Sequence, residues 1–395
     1  MVASIQALRV SSFGFRVLDP KPQTRRGLFL GLTFLAFIFW CLSSSAEAAS
    51  AAAAIAEAKK SAESQGFQFI TSRDEIIAKA KQEGSLRVIS SVDTQTFKPM
   101  MESFSKKYPF IKIRMDEIGG PEALQRFLLE LKAGTVKDID TSEASSEFYV
   151  ENAAHAAKLD ILGMAQHGVL GINPRMVDPE YRNVVSVASN ICSIAYNKNR
   201  IASEATPNKW EDFLKPEFKG RKFVADIRTQ CMSALMVGMG EEWVLKYARQ
   251  IKEQEPVWMR GNARAMTAIA TGEQAIHQMT FYNSCVEAAR KDPTKALQCK
   301  IIDPAPVLLR ENQFVLKTAP HPHAALLFIE HMASREGQKI LDDYEPIKSS
   351  VYSDGEVAKL LKGKKASIND HKTFLNTPKW MKSIVDAYGF PRAEK

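Results

Sequence analysis

Apolar positions along the chain switch between two periods at regular intervals. Phe97, Met100, Met101, Phe104 and Tyr108 recur three or four residues apart, the spacing of one helix face. Directly after them Ile111, Ile113 and Met115 alternate, which predicts a strand with one buried side. Leu124, Phe127, Leu128 and Leu131 return to the helical period, closed by Gly134. Ahead of these lie a β-rich run, 85–91, and a helix opening at Ser72-Arg73-Asp74-Glu75. There the Ser72 hydroxyl is expected to accept from the amide three residues on while Glu75 reaches back, with Gly84 as the stop. The rhythm returns later, with strands over 222–225, 257–259 and 275–279 and helices over 232–239, 263–270 and 284–290. Strand and helix alternating at this spacing predict parallel sheets covered by helices, in two separate units.

Two further β-like runs, 190–197 and 301–309, lie between the units and lead out of and back from the second. Helices expected over 323–332 and 336–342 have nothing of their own to pack on and are assigned to the first unit. The chain is thus divided into 1–48, a leader; 49–68, an Ala-rich tether; 69–190, the first part of lobe 1; 191–306, lobe 2 with its crossovers; and 307–395, the return to lobe 1. Two crossings make a two-strand hinge.

The leader rests on the run from Gly27 to Leu42, 16 apolar residues where a membrane-crossing helix needs about 20. Arg9, Arg16, Lys21, Arg25 and Arg26 precede it and Ser43-Ser44-Ser45-Ala46-Glu47-Ala48 follows, with an Ala-x-Ala cleavage pattern. This is the layout of a cleaved signal peptide rather than a retained anchor. Thr24-Arg25-Arg26-Gly27-Leu28-Phe29-Leu30 also resembles a twin-arginine export signal, and the general secretory route stays open beside it. Either route places the mature chain in the periplasm. Removing 1–48 takes five basic and two acidic charges from a net +8, leaving about +5. That mild balance, without a basic–aromatic stripe, points away from nucleic acid.

Ligands of open α/β sheets bind beyond the carboxyl ends of the strands. Five loops qualify, and they hold the candidate contacts Ser91, Thr94, Ser145, Arg228, Thr229, Arg260, Asn262, Tyr282 and Asn283. Several of these open helices, whose free amides favour anions, although Ser, Thr and Asn there also serve as plain caps. Arg228 and Arg260 are expected to offer guanidinium forks to a carboxylate or phosphate. His321-Pro322-His323 reads as a helix entry rather than a metal pair. No Gly-x-Ser-x-Gly, His-Glu-x-x-His or phosphate-cradling lysine loop occurs, so no enzyme chemistry is predicted. Of the four cysteines beyond the leader, Cys285 and Cys299 are expected to pair; Cys192 and Cys231 are left open.

The chain resembles the periplasmic solute-binding proteins of ABC importers, in the group that includes ferric-ion-binding proteins. The matching stretches are Ala78-Lys79-Ala80-Lys81-Gln82-Glu83-Gly84, Ala195-Tyr196-Asn197-Lys198, Pro207-Asn208-Lys209-Trp210-Glu211-Asp212-Phe213-Leu214, Thr271-Gly272-Glu273-Gln274-Ala275 and Ser334-Arg335-Glu336-Gly337-Gln338. The resemblance implies a type 2 periplasmic-binding fold, two α/β lobes closing on a cleft. It also implies no resident cofactor, a monomer that captures a small solute, and a permease in the inner membrane as partner; Arg228, Arg260 and the helix N-termini make that solute an anion. A pair of adjacent tyrosines serves the ferric branch; here that pair falls on Phe281-Tyr282, so one phenol is missing. Fe(III) as transported ligand, with Tyr282 as a metal ligand and Glu143 or Asp140 in support, is therefore the alternative to a simple anion. A secreted enzyme and a sensory binding module on the same scaffold are the rival classes.

Overall fold

The computed structural model describes residues 50–146 and 148–390; the expected leader lies outside them. Ten strands are connected: β1 (Ser85–Ser90), β2 (Lys112–Glu117), β3 (Thr141–Glu143), β4 (Val185–Asn197), β5 (Val224–Asp226), β6 (Val257–Met259), β7 (Ile276–Phe281), β8 (Leu297–Lys300), β9 (Ala305–Val315) and β10 (Ala366–Asn369). Their order is β2-β1-β3-β9-β4-β7-β5-β6, with β10 beside β9 and β8 beside β4. β1 pairs in parallel with β2 and β3, and β5 with β6 and β7, so each lobe keeps its own parallel set.

β4 and β9 join the two sets. They run antiparallel, from Val185 opposite Gln313 to Ile191 opposite Val307. At Cys192 the partner of β4 changes to β7, opposite Phe281. Thirteen residues at about 3.3 Å each carry β4 roughly 40 Å, enough to cross from one lobe into the other. All of β4 is buried. The crossing strands are therefore longer than the expected 190–197 and 301–309. They start at Val185 and extend to Val315, and 301–304 are not strand. Polar residues such as Ser186 and Asn312 broke the apolar pattern. Inside the fold they satisfy each other, Ser186 Oγ donating to Asn312 Oδ1 at 2.5 Å.

Local signals explain the helix ends. The Arg73–Glu83 helix is capped by Ser72, whose hydroxyl accepts from Asp74 N at 3.2 Å rather than from the amide of Glu75, and Glu75 pairs with Lys79 instead of reaching back. Gly84 ends it at φ 65°, which only glycine adopts without strain. The Pro322–Ala333 helix begins at the two-histidine entry. Glu83 accepts from Ala324 N at 2.8 Å and contacts His323 Nδ1 at 2.6 Å; Asp140 accepts from His321 N at 2.7 Å. Two carboxylates from the first lobe thus stand at this positive helix end.

Residues 50–64 are helical, and Ile55, Ala58 and Ala62 lie on the first-lobe core. This is no loose tether: the three fall on one helix face. The tail also divides. The Pro322–Ala333 and Arg335–Tyr344 helices join the first core, as Phe328, Met332 and Leu341 show. Trp380, Ile384 and Tyr388 of the Thr377–Tyr388 helix instead enter the second core, beside Trp210 and Tyr247. That part of the expected return to lobe 1 is corrected: three apolar side chains at i, i+4 and i+8 cover a gap on lobe 2. Two disulfides staple lobe 2, Cys285–Cys299 with Cα atoms 6.0 Å apart and Cys192–Cys231 with 5.8 Å.

His277 lies fully buried on β7, where its Nδ1 accepts from Met279 N at 3.1 Å. Burial lowers its pKa from 6.5 to about 4, and burial does the same to His331. Between those values the unfolded chain binds a proton that the folded chain refuses. Stability is therefore expected to fall as pH drops from about 6.5 to about 4, by about 3 kcal/mol per histidine. Thermal melts across this range check it, and His277→Gln is expected to flatten the slope.

Candidate functional site

The three adjacent strands β7, β5 and β6 end at Phe281, Asp226 and Met259. Each feeds a helix: Tyr282–Lys291, Gln230–Met239 and Asn262–Ala270. The cap positions, Phe281, Thr229 and Gly261, make no side-chain capping bond. Gly261 reaches φ 102°, a turn that other residues resist. Three helix N-termini thus stand at one sheet edge, none with a capping side chain from its N-cap residue.

Arg228 does not extend freely into this edge. Its Nη2 lies 2.6 Å from Asp226 Oδ2 and donates to Asn262 Oδ1 at 2.9 Å, and Nε donates to Asp226 as well. Thr280 Oγ1 donates to the same Asn262 oxygen at 3.3 Å. The fork expected at Arg228 is held by Asp226, two residues earlier at the strand end. Arg228 and Asn262 are brought together with Met279 and Phe281 around a small cavity. Thr229 is turned away, fully buried, and donates to Met381 O at 3.2 Å. Arg260 is exposed, with no hydrogen bond or ion pair among the described residues.

Tyr282 packs at the lobe junction with Ile191 and Val307 of the crossing strands and with Ile347 and Val351. Burial raises its pKa, so its phenol is neutral. Asn283 Oδ1 and Ser145 Oγ are buried without a partner. Thr94 is the exposed first residue of the Thr94–Lys107 helix.

Ser91 belongs to a buried charge network on lobe 1. Its N donates to Glu143 Oε2 and its Oγ to Glu311 Oε2, both at 2.9 Å. Lys348 Nζ lies 3.4 Å from Glu311 and 3.3 Å from Glu345, and Glu345 accepts from Asp93 N at 2.8 Å. Burial and the facing Glu311 charge raise the Glu143 pKa well above the usual range, so this carboxyl keeps its proton. For Glu311 burial acts upward, but Lys348, Glu143, Arg310 and Ser91 together outweigh it and the group stays ionised. Asp140 is engaged by Arg87 N and His321, which removes it as a support for a metal at the cleft. The sequence reading missed Glu311, Glu345 and Lys348. The available signal was Arg310-Glu311-Asn312-Gln313, a polar block inside the apolar run of β9.

Residues 156–377 match the family described as bacterial extracellular solute-binding protein. An Fe(3+)-binding periplasmic protein from Serratia marcescens is 25% identical over 243 residues, covering 58% of this chain and 68% of that one. Iron-bound HitA from Pseudomonas aeruginosa superposes with a TM-score of 0.59 at 17% identity, covering 77% of this chain and 99% of its own. The Trichodesmium FutA protein in complex with iron and citrate gives 0.59 at 18%, covering 78% and 100%. The structural likeness establishes the type 2 periplasmic-binding fold, two α/β lobes with a cleft between them.

Replacing Lys348 by Met is expected to destabilise the protein by about 3–5 kcal/mol at pH 7, because Glu311 and Glu345 remain buried without a cation. Urea unfolding measures the loss, which is expected to shrink near pH 5 as the stranded carboxyls take up protons.

Proposed function

The chain belongs to the bacterial extracellular solute-binding proteins, the capture components of ABC importers, and on that premise we propose that its solute is a small anion rich in carboxylate or phosphate oxygens. The observation that carries this reading is the row of three uncapped helix N-termini at the ends of β5, β6 and β7, with Arg228 fixed beside them. The positive end of a helix dipole favours negative charge, and a guanidinium already oriented by Asp226 and Asn262 loses little freedom on meeting it. The solute passes to a permease in the inner membrane, and the mature monomer begins near Ala49 after removal of the leader.

A second reading is the ferric complex of such an anion. Tyr282 favours it: its phenol stands at the lobe junction beside the row of amides, and the Serratia relative is named for Fe(3+). One phenol cannot satisfy a hard ferric ion, so most of the ligands would come from the anion itself. Lobe 2 then holds the anion and Tyr282 closes the metal's coordination shell.

Calorimetric titration with inorganic phosphate, citrate and ferric citrate separates the readings, with glucose as the neutral control. Binding near micromolar, about −8 kcal/mol, is expected for at least one anion and none for glucose. If ferric citrate alone binds, with a visible charge-transfer band that Tyr282→Phe abolishes, the ferric reading replaces the simple anion. Glucose binding without anion binding contradicts both.

A further inference from the structure

β9 is buried along its whole length except at one residue, Arg310. This arginine sits in the paired stretch of the hinge, opposite Ala188. Its Nε is buried and has no hydrogen-bond partner, and no carboxylate among the described residues lies within ion-pair distance of it. Two other cations near the cleft walls are engaged, Arg228 by Asp226 and Lys348 by Glu311 and Glu345, while Arg260 is exposed to water. An arginine cannot shed its proton, so a guanidinium held partly out of water without an acceptor costs free energy unless something else meets it.

Its neighbours on the same face show what that face borders. Residues paired across two strands point to one side, and so do residues two apart along a strand. Asn190, opposite Leu308, is thus a diagonal neighbour of Arg310. It is 4% exposed and its Oδ1 has no partner. Two residues beyond Arg310, Asn312 Nδ2 donates to Ala144 O at 2.7 Å, next to Ser145, whose Oγ is also buried and unpartnered. Two residues beyond Asn190, Cys192 is bonded to Cys231 on the helix that follows Arg228. On this side of the hinge, then, Arg310 and Asn190 stand between the loop after β3 in lobe 1 and the loop after β5 in lobe 2.

We propose that Arg310, with Asn190, forms an oxyanion subsite on the hinge strands that receives the charged end of the solute. The proposal rests on the anionic reading above and adds the residue that meets the charge. Arg228 is paired with Asp226, whereas Arg310 makes no ion pair among the described residues, although Glu311 feels its charge. An oxyanion at Arg310 would take a two-pronged contact from the guanidinium, while the Ser145 hydroxyl and the Asn190 Nδ2, rather than its unpartnered Oδ1, donate to its flanks. The contact falls on a strand shared by both lobes, so occupancy bears directly on the hinge.

The test is calorimetric titration of wild type, Arg310→Met, Arg310→Gln and Arg310→Lys with citrate, inorganic phosphate and ferric citrate, beside thermal melts of each. The neutral variants are expected to weaken the tightest-binding probe by tenfold or more without lowering the melting temperature. Arg310→Lys, which keeps the charge but not the fork, is expected to recover part of the loss. The relative affinity for citrate and phosphate tells whether the subsite takes a carboxylate or a phosphate. If wild type binds a probe and whichever neutral variant folds binds it within twofold, Arg310 is not the anchor, and the anionic reading stands without it. If wild type binds none of the three, the anionic reading falls and this inference falls with it.

Discussion

Antiparallel pairing of β4 with β9 is the constraint on which the rest of the molecule depends. Six residue pairs face one another across the junction, and from these the two parallel sets extend in opposite directions. A backbone ladder resists slippage, because a one-residue shift would turn every buried side chain to the wrong face. It still tolerates twisting, which relative movement of two lobes requires. The side chains on the two faces of this ribbon then decide what each lobe presents. Glu311 looks toward Ser91 and Lys348, and Asn312 toward Ala144.

Charge follows the same ribbon. In a dry interior an ionised group needs a partner, and the lobe 1 network answers with one ammonium, two ionised or partly ionised carboxyls and one protonated carboxyl. Lobe 2 answers with the Arg228–Asp226 pair. Both walls are thereby fixed before any solute arrives. Groups already held in place lose less freedom on binding than groups that must be gathered.

Periodicity in the sequence was enough for the elements that pack one face on a core. The helices from Thr94, Gly120, Asn262 and Pro322, and the strands β1, β2, β6 and β7, lie where the apolar spacing put them, within a few residues at their ends. It was not enough for the Glu241–Glu253 and Thr377–Tyr388 helices, whose partners are distant in sequence, nor for the polar half of β4. The five loops at strand ends were legible, because strand–helix junctions have a composition of their own. What each side chain does there was not. Thr229 reads as a ligand contact or a cap and bonds to Met381; Arg228 reads as a fork for an anion and is held by an aspartate two residues away. Lys348 and Glu311 are 37 residues apart, and no local pattern ties them together.

The Thr377–Tyr388 helix bears on the order of assembly. Lobe 2 is built from chain that emerges early, between β4 and β9, yet its core is closed by Trp380, Ile384 and Tyr388. Until those three arrive, a face bearing Trp210, Phe213 and Tyr247 lacks its cover. The lobes are therefore not two modules threaded in series. The segment between β4 and β9 does not hold all of its own core, and a chain emerging residue by residue completes that core only after 377–388 has been delivered.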